Sequence, residues 1–146
     1  MARIHSNRHG ALRASFFAAS LVLGGCGSDG PNDIEIQGTW SSDFGVETIS
    51  SELWETDGGA QTVASFDNSE NVAVTQSPPD DMFNPDRFNK IVWTEPDGDA
   101  FYYCVVDFGF ESAELPAAST SSADDSDPEN SGCGGMFAWT KLTRIE

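Results

Sequence analysis

The sequence predicts an all-β fold: a small antiparallel barrel or two-sheet sandwich, laid out as a meander with one short helix. Three observations lead there. About seven or eight short segments rich in β-branched and aromatic residues alternate apolar with polar positions. Turn-forming Gly, Asp, Asn and Pro separate them. Most of these connections are local, so consecutive segments are expected to pair.

The elements follow in order. Ile34, Ile36 and Trp40 share one parity with Gly38 between them, while Glu35, Gln37 and Thr39 take the other, so a half-buried strand is expected over 34–40. Residues 47–54, with Ile49, Leu53 and Trp54, are expected as the next. Asp57-Gly58-Gly59 is a tight-turn sequence that leads into a strand over 61–66. Asp67-Asn68-Ser69-Glu70 turns the chain into Val72-Ala73-Val74. Strands over 90–94 and 100–108 flank Glu95-Pro96-Asp97-Gly98-Asp99, the clearest hairpin in the chain. Tyr102 and Tyr103 then face opposite sides of one strand. A last strand is expected over 137–145, with Phe137 and Trp139 on one parity and Leu142 on the other. Two stretches interrupt the pattern. Residues 77–87 form a Pro-rich loop with room for one helical turn, and 111–118 favour a short helix ending near Pro116. Residues 119–135 are rich in Ser, Asp and Gly, and only the disulfide and the segment's ends are expected to order it.

The N-terminus has a different character. Arg3, Arg8 and Arg13 precede an apolar run from Ala14 to Leu23. At about 10 residues that run fits a signal-peptide core and is too short for a membrane span of about 20. Leu23-Gly24-Gly25-Cys26 ends it, and all four positions match the lipobox of bacterial lipoproteins, which this segment resembles. The resemblance implies cleavage before Cys26, diacylglycerol on its sulfur and acylation of the new amine. Two or three acyl chains anchor far more firmly than the single chain that binds membranes only marginally. Gly27, not the Asp that would resemble an inner-membrane retention signal, follows the cysteine. The expected location is therefore exported and lipid-anchored, with the outer membrane favoured, on its periplasmic face or at the cell surface. On this reading 1–25 is the signal peptide, 26–33 a lipidated flexible tether and 34–146 an acidic β domain.

Removing the signal changes the composition. His5, His9 and three of the arginines leave with it. The remainder keeps Arg87, Lys90, Lys141 and Arg144 against all 24 acids, a formal charge of about −20. Small soluble domains usually carry a magnitude of about 2–8. Such a charge repels nucleic acid and anionic head groups, so no nucleic-acid partner is expected. It suits a solvated surface in a saline habitat and attracts cations. With Cys26 carrying lipid, Cys104 and Cys133 remain and should pair in an oxidising exported compartment; the alternative is two free thiols. Two thiols without histidine cannot by themselves make a common zinc site.

Gly38-Thr39-Trp40 resembles the opening of a lipocalin-type barrel, in a chain shorter than is usual for that fold. A wider resemblance runs through Gly38-Thr39-Trp40, Phe66-Asp67-Asn68, Asn84-Pro85, Trp93-Thr94-Glu95, Phe101-Tyr102-Tyr103-Cys104, Ser126-Asp127-Pro128, Gly132-Cys133-Gly134-Gly135 and Trp139-Thr140-Lys141-Leu142. Together these are similar to a family of small single-disulfide bacterial lipoproteins with no assigned activity. The resemblance implies a single domain and one disulfide, and it transfers no catalytic residues.

The chemistry open to the exported domain is narrow. Without histidine it cannot run a Ser-His-Asp or Cys-His mechanism or ligate zinc, copper or haem through imidazole. It has no Gly-rich phosphate loop ending in Lys. Paired carboxylates could hydrolyse a glycosidic bond, and Glu35, Glu47, Glu52, Glu55, Glu95 and Asp107 are candidates, but no pair stands out. Glu95, Asp97 and Asp99 gather around one turn, and Asp124, Asp125 and Asp127 with Glu129 form a second cluster. Either could take a hard cation such as calcium, although neither has EF-hand spacing and Asp-Gly is also an ordinary hairpin turn. Trp40, Trp54, Trp93 and Trp139 all fall on expected strands. They either fill the core or line a barrel mouth that stacks on a sugar or encloses an apolar ligand. The expectation is a monomeric, non-catalytic binding or envelope-associated surface module, not an enzyme. The alternatives are a small barrel that binds an apolar ligand or sugar and, behind it, a carboxylate hydrolase.

Overall fold

The computed structural model describes residues 32–145; the signal-peptide and lipidation assignments, including Cys26, fall outside them. Eight strands close into one antiparallel barrel: β1 (Gly38–Ser42), β2 (Gly45–Ile49), β3 (Leu53–Thr56), β4 (Gly59–Asp67), β5 (Val72–Gln76), β6 (Phe88–Trp93), β7 (Ala100–Phe110) and β8 (Thr140–Arg144). Each pairs with its neighbour in sequence, and β8 returns to β1 through Trp40 opposite Arg144 and Ser41 opposite Thr143. The barrel form is thus realised and the sandwich is not. A single short helix, α1 (Glu114–Ala118), lies over β5, β6 and β7. Pro116 falls within its first turn, where no intrahelical N–H bond is needed, and is buried.

The end of the barrel at which the chain enters β1 is called lower here. Ile34 and Ile36 plug it, both fully buried. They do so from a turn, not from the expected strand, because Gln37 N–H bonds the Ile34 carbonyl at 3.0 Å. The Asn68 side chain explains the departure. It accepts from Glu35 N–H at 3.1 Å and donates to the Asp33 carbonyl at 2.9 Å, taking the backbone groups that a sheet would have paired. Asp33, expected in the tether, is already held.

The strand expected over 47–54 is two strands. Ser50 breaks it, its hydroxyl accepting from Leu53 N–H at 3.0 Å, and the chain doubles back so that Ile49 faces Trp54. At the other end of the chain β8 starts at Thr140, not at 137. Phe137 instead bridges to Cys133 and stands exposed.

Above the isoleucine plug the inward positions are Trp40, Ile49, Trp54, Val63, Ala73, Ile91, Trp93, Phe101 and Leu142. Trp40 meets Phe101 edge-on with ring centroids 4.7 Å apart. Side chains of this size fill the interior of an eight-stranded barrel, so burial of tryptophan drives its closure. Nearer the upper end the lining turns polar. Gln61 Oε1 accepts from Thr75 at 2.7 Å and from Asn89 at 3.2 Å, and Asn89 also donates to Ser77 at 3.1 Å. Every bond in that network offsets the desolvation of a buried polar group.

The residues between α1 and β8 pack on the outside of the barrel. A disulfide from Cys104 on β7 to Cys133, with S–S 2.06 Å, fixes the far part of this segment. The near part is clasped by Lys90, whose ammonium donates to the carbonyls of Ser119 at 2.6 Å and Ser121 at 3.0 Å. Asp107 accepts from both hydroxyls of the same serines. A register shift between Lys90 and Ile91 sets Asp107 opposite Lys90 and so aims it outward. The segment is therefore ordered along its length, more than its composition suggests.

Candidate functional site

Two arrangements stand out, one inside the barrel and one on its wall. Inside, Glu47 on β2 is only 3% exposed. Trp54 Nε1 donates to its Oε2 at 2.8 Å, and the Tyr103 hydroxyl donates to its Oε1 at 3.2 Å. Ser42 adds a longer bond of 3.5 Å. Burial raises the pKa of this carboxyl above its ordinary value, and the three hydrogen bonds only partly oppose that. The Tyr103 phenol is also raised, by burial first and then by the neighbouring Glu47 charge. A second indole–carboxylate pair, Trp93 Nε1 to Glu35 Oε1 at 2.6 Å, sits toward the lower end. Sequence reasoning took Glu35 and Glu47 as hydrolase candidates and the tryptophans separately. The structure joins them as partners.

The wall site is a cleft of about 710 Å³ over β1 and β8. The β1–β2 turn supplies Asp43 and Phe44, and the disulfide-bound segment supplies Glu129, Phe137, Ala138 and Trp139. Ser41, Tyr102, Lys141 and Thr143 project from the outer faces of β1, β7 and β8. Gly45 permits the turn: its φ is +125°, and a Cβ there would lie 2.0 Å from the Asp57 carboxylate. Gly132 permits the opposite wall, since at φ +100° a Cβ would lie 1.8 Å from the Asp124 carbonyl. That close approach lets Trp139 Nε1 donate to the same carbonyl at 3.0 Å. Within the cleft the Tyr102 hydroxyl donates to Glu129 Oε1 at 2.7 Å, and Lys141 Nζ lies 3.4 Å from the same oxygen. Lys141 also stands 5.2 Å over the Tyr102 ring. The Tyr102 bond, then Lys141, hold the Glu129 pKa below its usual range. Phe44 at 78% and Phe137 at 73% exposure present their rings to solvent.

A smaller groove of about 480 Å³ runs along the barrel wall below α1. Phe66, Val72, Val74 and Val92 line it, with Lys90 and Ser121.

The residues singled out from sequence are spread over the molecule. Trp40, Trp54 and Trp93 pack in the core; Trp139 is 6% exposed and borders the cleft. Cys104 and Cys133 are bonded. Glu95 accepts from Asn71, Asp97 closes a two-residue hairpin turn with Ala100, and the Asp99 carbonyl accepts from Arg144 N–H. Asp124 and Asp127 accept from the Ser126 N–H and the Asn130 amide nearby, and Asp125 is exposed. Among the described residues no group of three or more Asp, Glu, Cys or His side chains is placed to hold a metal ion. Phe44 escaped sequence reasoning, as did the meeting of Phe137, Tyr102, Glu129 and Lys141 at one cleft; Glu129 reads from sequence only as part of an acidic cluster. These residues lie on two loops and two strands far apart in the chain, and only the closed barrel brings them together.

Comparison with protein-family models, with curated proteins and with solved structures finds no match to this chain.

Proposed function

We propose that the protein is an exported module, anchored to the outer membrane through lipid on Cys26, that binds a partner without catalysis through the cleft on its wall. The observation that carries this reading is the contrast between interior and exterior. The barrel is filled by its own tryptophans, while its upper wall offers a concave surface with exposed rings. A pocket of this size falls within the about 300–1,000 Å³ of ordinary ligand sites. The best-buried carboxylate, Glu47, has both oxygens engaged by Trp54 and Tyr103, an arrangement that suits a structural role better than a general acid's. The lipobox and the preceding apolar run support the anchor.

The test has two readouts on one protein. Replacing Cys26 by Ser should release it from membranes into the soluble fraction; retention of the variant in the membranes would refute the anchor. Hydrogen exchange of the wild type with envelope material from its own cells should slow at the amides of 132–143. Exchange that is unchanged across the molecule would refute binding.

A further inference from the structure

The wall cleft has the chemistry of a carbohydrate site, and we infer that its ligand is a neutral oligosaccharide. This inference rests on the reading of the protein as a binding module and names the ligand class. Three features decide it.

The first is the pairing of rings with short polar groups. Phe44 and Phe137 stand on opposite walls, largely exposed, and the Tyr102 ring lies with them. A pyranose offers an apolar C–H face to an aromatic ring and a rim of hydroxyls to its surroundings. An acyl chain would use the rings but offer nothing to the Tyr102–Glu129–Lys141 group beside them, whose members bond one another and keep further acceptor capacity. A sugar satisfies both kinds of surface. The Glu129 oxygens accept from hydroxyls and the Tyr102 oxygen accepts as well as donates.

Charge is the second. Anionic ligands meet Asp43 and Glu129 in the cleft and an acidic molecule around it. Lys141 already answers the Glu129 charge at 3.4 Å, so charge rules out an anion and the choice of a neutral ligand rests on the rings and hydroxyl acceptors. A neutral ligand leaves that ion pair intact.

The closed sheet is the third. A peptide that adds as a strand needs a free edge, and β1 and β8 are hydrogen-bonded to each other. Here the barrel wall presents side chains only. The backbone that carries the two rings is held before any ligand arrives, by the disulfide and the Trp139–Asp124 bond on one wall and by the Phe44 N–H bond to Ser42 on the other.

The test uses the full protein as purified from its source cells, with saturation-transfer NMR against chitotriose, maltotriose and mannotriose. Trigalacturonate serves as the anionic contrast. At least one neutral trisaccharide should bind and the anionic one should not. Phe137→Ala and Phe44→Ala should each weaken binding by about tenfold, the scale of one lost ring contact. Both rings are solvent-exposed, so the variants should keep the wild-type melting temperature. Binding that is indifferent to both substitutions would overturn the site. Absence of binding by all three neutral probes, or preference for trigalacturonate, would overturn the ligand class. Hydrogen exchange with envelope material separates the two levels. Protection at 132–143 without sugar binding leaves the binding module standing and removes only the carbohydrate inference; no protection removes both.

Discussion

Glu47 carries the sharpest consequence at the scale of single residues. Its carboxyl is buried among Trp54, Tyr103 and Ser42, and burial raises its pKa above 4.5. A group whose folded pKa is raised contributes stability that is fully present below the unfolded value and is lost as pH rises through the folded one. Glu47→Gln keeps an acceptor for the Trp54 indole and fixes the site in its neutral form. The melting temperature of the variant should therefore gain on that of the wild type as pH rises from about 4.5, then hold a constant lead. Asp67, Asp81, Glu114, Asp124 and Glu129 have lowered pKa values and lose stabilising charge as pH falls, the opposite direction. They are present in both proteins, so they cancel in the difference. Parallel melting curves across that pH range would show that Glu47 titrates normally. The four bases among the described residues are all engaged as well. Arg87 pairs with Glu111 at 3.4 Å, Lys90 clasps two carbonyls, Lys141 meets Glu129, and Arg144 stacks 4.1 Å over Trp40.

The segment between α1 and β8 is the element on which the site depends. Its disulfide spans a sequence separation of 29, and closing such a loop stabilises the fold by about 3–4 kcal/mol in the chain-entropy model. Reduction should lower stability by that amount in a denaturant titration while far-ultraviolet dichroism stays that of a sheet, because β8 still pairs with β1 and β7. Collapse of the whole barrel on reduction would contradict this. The same segment marks where sequence reasoning stops. Alternating polarity located the strands because each has one buried face, and Asp97-Gly98-Asp99 marked its hairpin because Gly98 takes φ +62° there. What parity cannot register is a long-range side-chain bond to backbone. Asn68 turned the first part of the strand expected over 34–40 into a plug, and Lys90 with Asp107 ordered a stretch whose composition reads as loose. The Cys104–Cys133 pair was readable once Cys26 was set aside as the lipobox cysteine, whereas the cleft was not. Phe44 sits in a turn where an apolar residue carries no periodic signal, parity reads Phe137 into the last strand, and their meeting at one cleft is a property of closure.

Charge and anchoring belong to the whole molecule. From Cys26 onward 24 acids face four bases, and the engaged bases leave most carboxylates with only solvent ions to screen them. Self-repulsion then opposes the compact state, so the melting temperature should climb as sodium chloride is raised from about 10 mM, where the Debye length is about 30 Å, to 1 M, where it is about 3 Å. A flat response would mean that the acidic surface costs the fold nothing. The same charge keeps anionic surfaces at a distance. Native mass spectrometry of the protein extracted gently from its own membrane joins anchor, disulfide and site in one measurement. The account predicts a chain that begins at an acylated Cys26, two hydrogens lighter than its reduced form, with a dissociable mass equal to a whole number of neutral sugar residues plus one water. A chain that still begins at Met1, or one that carries no acyl group and two alkylatable thiols, would contradict it.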